Sequence, residues 1–163
     1  METWLEIFEF PGYSVSSWGR VRNERTGRVL TLLRNQNGVT HVGMNRNGLQ
    51  HKRGVAKLVA KRFLRHTTLD DFDTPIHLNG DRSDNQASNL AWRPKWFADT
   101  YTRQWNFYGA RIDQPIRDID SGESYVDSTD AAKTHGLLER DIVQSILTGV
   151  KVFPTLQRFE IIE

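Results

Sequence analysis

The sequence of 163 residues predicts an α+β chain assembled from several small modules, and three observations carry that expectation. Short apolar runs separated by Gly-containing turns fill the first third, and near residue 54 the apolar period lengthens to that of a helix. Charge is also divided unevenly: residues 1–65 hold 12 Lys/Arg against 4 Asp/Glu, residues 66–108 hold 4 against 6, and residues 109–163 hold 6 against 10. A cationic surplus of that size in one segment is the footprint of a surface that meets a polyanion, most often nucleic acid. Hydrophobic residues make up 37%, enough for modest cores. The absence of cysteine excludes disulfides and thiolate metal sites, so any metal would need His, Asp, Glu, Asn or carbonyl oxygen. No apolar run approaches the ~18 residues of a membrane helix. Glu2, Glu6 and Glu9 stand where a signal peptide would carry basic residues, so the expectation is a soluble, intracellular chain without a membrane partner.

The elements follow in order. Leu5–Phe10 ends at Pro11-Gly12; Tyr13, Val15 and Val21 sit among Ser, Gly and Arg; Arg28–Leu33 and Val39–Met44 follow the turn-prone pairs Thr26-Gly27 and Asn37-Gly38. These runs predict a small antiparallel sheet reaching about Asn47. Arg20, Arg22, Arg25, Arg28 and Arg34 fall at its strand ends and turns, where long side chains reach phosphates without being buried; a merely solvated basic face is the alternative. From Gly54 to Leu64, Val55, Leu58, Val59 and Phe63 recur at i, i+3, i+4 and i+8, which predicts an amphipathic helix with basic flanks. After a loop rich in Thr and Asp, the pieces around His77 and Leu90–Trp92 predict a hairpin with a long polar connection that opens on Asn79-Gly80. Residues 96–107 predict a helix with Trp96, Phe97, Tyr101 and Trp105 on one apolar face, and Trp4, Trp92 and Trp96 are expected in cores. A further hairpin, Pro115–Ile119 with Ser124–Val126, precedes two short helices. The first is expected to be capped at Ser128 or Thr129 and stopped by Gly136; the second opens with Glu139 and Asp141 and ends before Gly149. Their spacing fits helix-turn-helix geometry, and a strand over 159–162 closes the segment.

Three stretches, in order, resemble the modular HNH homing endonucleases of phages and introns. Trp4, Ile7, Tyr13-Ser14-Val15-Ser16 and Gly19-Arg20-Val21-Arg22 look like the DNA-binding motif that opens many such proteins. Val55–Leu64, then His77-Leu78-Asn79-Gly80-Asp81, then Asn85 to Asn89-Leu90-Ala91-Trp92 are similar to the nuclease core. The later hairpin with Ala131-Ala132, Gly136, Ile142 and Gly149 looks like the C-terminal helix-turn-helix repeat of intron-encoded nucleases. The resemblance implies three modules: a basic β DNA-binding module over 1–50, an HNH-like ββα-metal core over 51–108 and a helix-turn-helix module over 109–163. It also implies double-stranded DNA as partner, a divalent metal, Mg or Mn, as cofactor, and the cytoplasm of a cell that hosts a phage or mobile element.

By the same resemblance His77 is the general base that takes a proton from water, and Asn89 ties the connecting loop to the hairpin and holds the base. Asp81 and Asn85 belong to that loop and are expected to satisfy its backbone donors. The family's two metal-ligand positions read Ile76 and Ala98, which coordinate nothing; Asp99 and Asp73 are the nearby carboxylates that a shifted site would use. Arg20, Arg22, Arg25, Arg28, Lys52, Arg53 and Arg140 are the expected DNA contacts, with Lys133 and Lys151 beside Arg140 as a local basic edge in an otherwise acidic segment. Two principal readings follow. One is an HNH endonuclease that hydrolyses a phosphodiester with His77; the other is a nuclease-derived binding protein without catalysis, a regulator acting through DNA or through a protein such as a polymerase docked on the acidic C-terminal module. A third reading, an RNA-protein component that stacks bases on its tryptophans, uses the same arginines.

Overall fold

A computed structural model describes residues 1–107 and 109–163, and the chain divides into two compact units, residues 1–77 with 81–95 and residues 78–80 with 96–163. The boundary expected after residue 108 falls at Tyr108, outside the described residues. No helix among those described is long and apolar enough to cross a membrane.

The first unit opens with an antiparallel sheet of β1 (Trp4–Glu6), β2 (Tyr13–Ser16) and β3 (Val21–Asn23). Every residue of the central strand is buried, and Val15 pairs with Leu5 on one side and Val21 on the other. A second sheet follows, made of β4 (Leu33–Arg34), β5 (Thr40–Arg46) and β6 (Leu49–Gly54). Thr40, Val42 and Met44 point inward at the period of two that a half-buried strand requires. The expected strand Arg28–Leu33 is reduced to a bridge between Arg22 and Val29 followed by the two-residue β4. In contrast, β6 is a strand that the apolar pattern does not predict, because Gln50 to Arg53 offers no apolar alternation.

Helix α1 (Val55–Phe63) leaves β6 without a loop, and its Val55, Leu58 and Val59 join Ile7, Phe10, Val15, Val21, Val42, Met44, Leu90 and Trp92 in one core. Burying each such aliphatic side chain contributes roughly 1.5–3 kcal/mol relative to leaving it in water. The last pair of the unit is the expected hairpin, β7 (Thr74–His77) against β8 (Leu90–Arg93), in register from Thr74 with Arg93 to His77 with Leu90.

The second unit takes most of α2 (Lys95–Gln104), then β9 (Ile116–Asp118), β10 (Ser124–Tyr125), α3 (Ser128–His135), α4 (Glu139–Thr148) and β11 (Phe159–Ile161). Its sheet runs β10-β9-β11, and its core gathers Ile116, Tyr125, Ala131, Ala132, Leu137, Ile142, Val152 and Phe159. Two expectations need correction. Helix α2 buries Phe97, Ala98 and Tyr101, and Trp96 remains 58% exposed, since adjacent helical residues point about 100° apart and the apolar face is set by Phe97 and Tyr101. The cap of α3 is Asp127, whose carboxylate accepts from Asp130 N at 2.7 Å; Ser128 is buried and bonds Glu139 instead.

Candidate functional site

His77 ends β7, where the hairpin hands the chain to the long connection, and the Asn85 side chain holds its ring. His77 Nε2 lies 2.9 Å from Asn85 Oδ1. An amide oxygen only accepts, so Nε2 carries the proton and Nδ1 keeps the lone pair. The amide is oriented in turn, because Asn85 Nδ2 donates to Ser83 O at 3.3 Å, and Asn85 is 4% exposed. Burial holds the His77 pKa below the usual imidazole value of 6.5, the Asn85 bond opposes this, and the Arg82 cation adds to the depression. The result is an imidazole that stays neutral, and able to accept a proton, to lower pH than a free one.

The connection itself is a run of local bonds. Asp81 accepts from Ser83 N at 2.9 Å and Ser83 Oγ at 2.6 Å, bonds that hold its carboxyl below the ordinary range. Asn89 Nδ2 donates to Asp84 O at 2.8 Å, so this asparagine closes the loop by a side-chain bond to backbone. The loop also meets the first two sheets: Ala87 N donates to Ser17 O, just past β2, at 2.8 Å, and Arg82 reaches Asn37 O, in the β4–β5 turn, at 3.0 Å.

The coordinating positions are a different matter. Ile76 is 2% exposed and pairs with Ala91 across the hairpin, and Ala98 is buried on α2. Asp73 accepts from its neighbour Thr74 Oγ1 at 2.7 Å, and Asp99 is exposed on α2 in the second unit. Among the described residues no three His, Asp or Glu side chains group closely enough to hold an ion. Ile76 and Ala98 therefore offer no donor to the divalent metal that the resemblance implies.

The cations expected to meet DNA fall into distinct settings. Arg20 pairs with Glu2, and Arg22 pairs with Glu24 at 2.9 Å while its guanidinium lies 4.3 Å over the Trp4 ring. Arg25 is exposed with its backbone N bound to Asn23 Oδ1. Arg28 and Lys52 line one groove of about 460 Å³, together with Asn23, Asn45 and Gln50. Arg53 lies on the other face of the β5–β6 ribbon, 5.0 Å over Phe10, and borders a second concavity with Arg46, Lys57, Lys61 and Glu9. Arg140, in the second unit, pairs with Asp141 at 3.3 Å. From Arg25 to Leu69 the chain contains no Asp or Glu and ten Lys/Arg, so the whole β5–β6 ribbon and α1 lie inside an acid-free stretch. Sequence reasoning missed two features here. The signal for β6 was present in Asn47-Gly48, whose φ values of +52° and +76° make the two-residue turn between Arg46 and Leu49. No sequence signal pairs Asn85 with His77.

Residues 2–45 match the NUMOD4 motif. The chain is 25% identical over 134 residues to one uncharacterized HNH endonuclease of Acanthamoeba polyphaga mimivirus and 32% identical over 94 residues to another. These alignments cover 82% and 56% of the chain but only 39% and 23% of those two proteins, so the chain spans well under half of the curated relatives it matches. Among solved structures, one on DNA binding and cleavage by the HNH homing endonuclease I-HmuI superposes with a TM-score of 0.57 at 18% identity, covering 98% of both chains. The mixed α+β architecture of small antiparallel sheets and four helices among the described residues is thus the fold of that protein.

Proposed function

We propose, from its kinship with the HNH homing endonucleases, that this chain binds duplex DNA through its first unit and presents His77 to the phosphodiester backbone. The observation that carries the proposal is the acid-free stretch from Arg25 to Leu69 folded into a ribbon and helix. Cations displace the counterions of a polyphosphate, with Lys61 already paired to Glu9 from outside the stretch, and a major groove admits a two-stranded ribbon. Asn45 and Gln50 are cross-strand partners on this ribbon and share a groove with Arg28 and Lys52. Such a groove combines amides able to read base edges with cations able to hold phosphates.

His77 supports a hydrolytic role. With Nε2–H donated to Asn85, Nδ1 is the acceptor that would take a proton from an attacking water. Ile76 and Ala98 supply no metal ligand beside it. Those same two residues favour the second reading, binding without hydrolysis, as a regulator would use it.

Binding and cutting separate in one experiment. Purified protein is expected to retard a duplex fragment with steep salt dependence and to prefer it to single strands and structured RNA at matched salt; equal preference overturns the proposal. Nicking of plasmid in Mg²⁺ or Mn²⁺ that disappears in His77→Ala assigns hydrolysis to His77. An intact plasmid with binding unchanged in His77→Ala assigns binding alone.

A further inference from the structure

Gly19 is held to glycine by two independent demands. Its φ of +82° lies in the left-handed region, and a Cβ built on it would stand 2.8 Å from Asn85 Cβ and 3.0 Å from Asn85 O. Among the described residues Gly12 has nearly the same backbone, φ +86°, with nothing within 4 Å of its Cβ position. Conformation alone therefore does not distinguish the two turns; the approach of Asn85 does.

The turn that carries Gly19 is tied down on every side. Ser16 N donates to Arg20 O at 2.8 Å, Gly19 N donates to Ser16 O at 3.0 Å, and the buried Ser16 Oγ accepts from Arg20 N at 3.0 Å and Trp18 N at 3.3 Å. The next carbonyl, Ser17 O, accepts from Ala87 N, two residues beyond Asn85, while Ser17 Oγ accepts from Thr3 N at 3.0 Å. Residues 85–87 are thus clamped by a hydrogen bond at one end and by atomic contact with Gly19 at the other. Asn85 is in turn the hydrogen-bond partner of the His77 ring.

We propose that the Ser16–Arg20 turn of the N-terminal motif is a buttress for the His77 site, with Gly19 and Asn85 as positioning residues that fix the imidazole's orientation and tautomer. The stretch that resembles a DNA-binding motif then has a second task, since a displacement of the turn reaches the histidine through a single intervening side chain. Its importance for function rests on the proposed role of His77, but the geometry can be tested without DNA.

The test is the imidazole spectrum of His77 in the ¹⁵N-labelled 163-residue chain without DNA. The wild type is expected to show a protonated Nε2 and an unprotonated Nδ1. Asn85→Ala should abolish that preference and lower the His77 titration midpoint, because the bond that offsets burial is gone. Gly19→Ala should move the His77 signals toward those of Asn85→Ala, whereas Gly12→Ala, with the same strained backbone and no neighbour, should leave them at the wild-type positions. Ser16→Ala loosens the turn without adding an atom and should shift the same signals in the same direction by less; it gives the answer if Gly19→Ala does not fold. His77 signals unmoved in Gly19→Ala, or in Ser16→Ala where that is the readable variant, overturn the buttress. So does an equal shift in Gly12→Ala. Failure here leaves DNA binding standing, and absence of DNA cleavage leaves the buttress standing.

Discussion

At His77 burial and a hydrogen bond act in opposite directions, and burial prevails, so the folded pKa lies below 6.5. The stability consequence has a definite sign. Below about pH 6.5 the unfolded chain takes up a proton that folded His77 resists, so this residue's contribution is complete above that value and is lost as pH falls toward the folded pKa. The urea midpoint of the wild type is expected to fall between about pH 7 and about pH 5.5, and His77→Gln should flatten part of that fall. A wild-type and variant difference that is constant across the window would contradict this. Spacing and resemblance point to His77 and Asn89, but they assign Asn85 only to backbone donors, because nothing in eight residues of separation says which amide the ring will meet. The exposure of Trp96 is hidden for a related reason: whether a large apolar residue is buried depends on which helix face the neighbours cover.

Among the elements, the helices are the most legible, since each carries its own period and stop signals. Helix α1 occupies Val55–Phe63 within the expected span, and α3 and α4 end at Gly136 and Gly149, both left-handed. The start of α3 differs by one residue, because Asp127 outcompetes Ser128 as acceptor for the orphan N–H groups once Ser128 is drawn inward to Glu139 and Ile112. Asp127→Ala should destabilise the fold by about 1 kcal/mol, the usual cost of removing an N-cap, whereas Thr129→Ala should leave the cap intact; urea denaturation at neutral pH checks both. Strands are less legible than helices. β6 is a ribbon strand with no buried residue, so its pairing with β5 rests on the Asn47-Gly48 turn and backbone bonds and not on an apolar pattern.

Across the whole molecule the governing quantity is where the positive charge is carried. Lys52→Ala and Arg28→Ala should each weaken duplex binding across sequences and reduce the slope of log affinity against log salt by about 0.9 for each phosphate that is no longer neutralised. Arg20→Ala and Arg22→Ala should change the slope less, since Glu2 and Glu24 already oppose those cations. Equal slopes for wild type and the first two variants would make the groove a solvated face. The sequence by itself determined the α+β class, the order of basic, hairpin and acidic segments, and the residue types at 76, 77 and 98, because period, charge and residue chemistry are local properties. Only the tertiary structure decided that Gly19 abuts Asn85, that Asn85 holds His77, and that α1 and the sheets of the first unit share one core. Those contacts join residues far apart in the chain, and their existence depends on how the apolar faces close on one another, which no short window of sequence encodes.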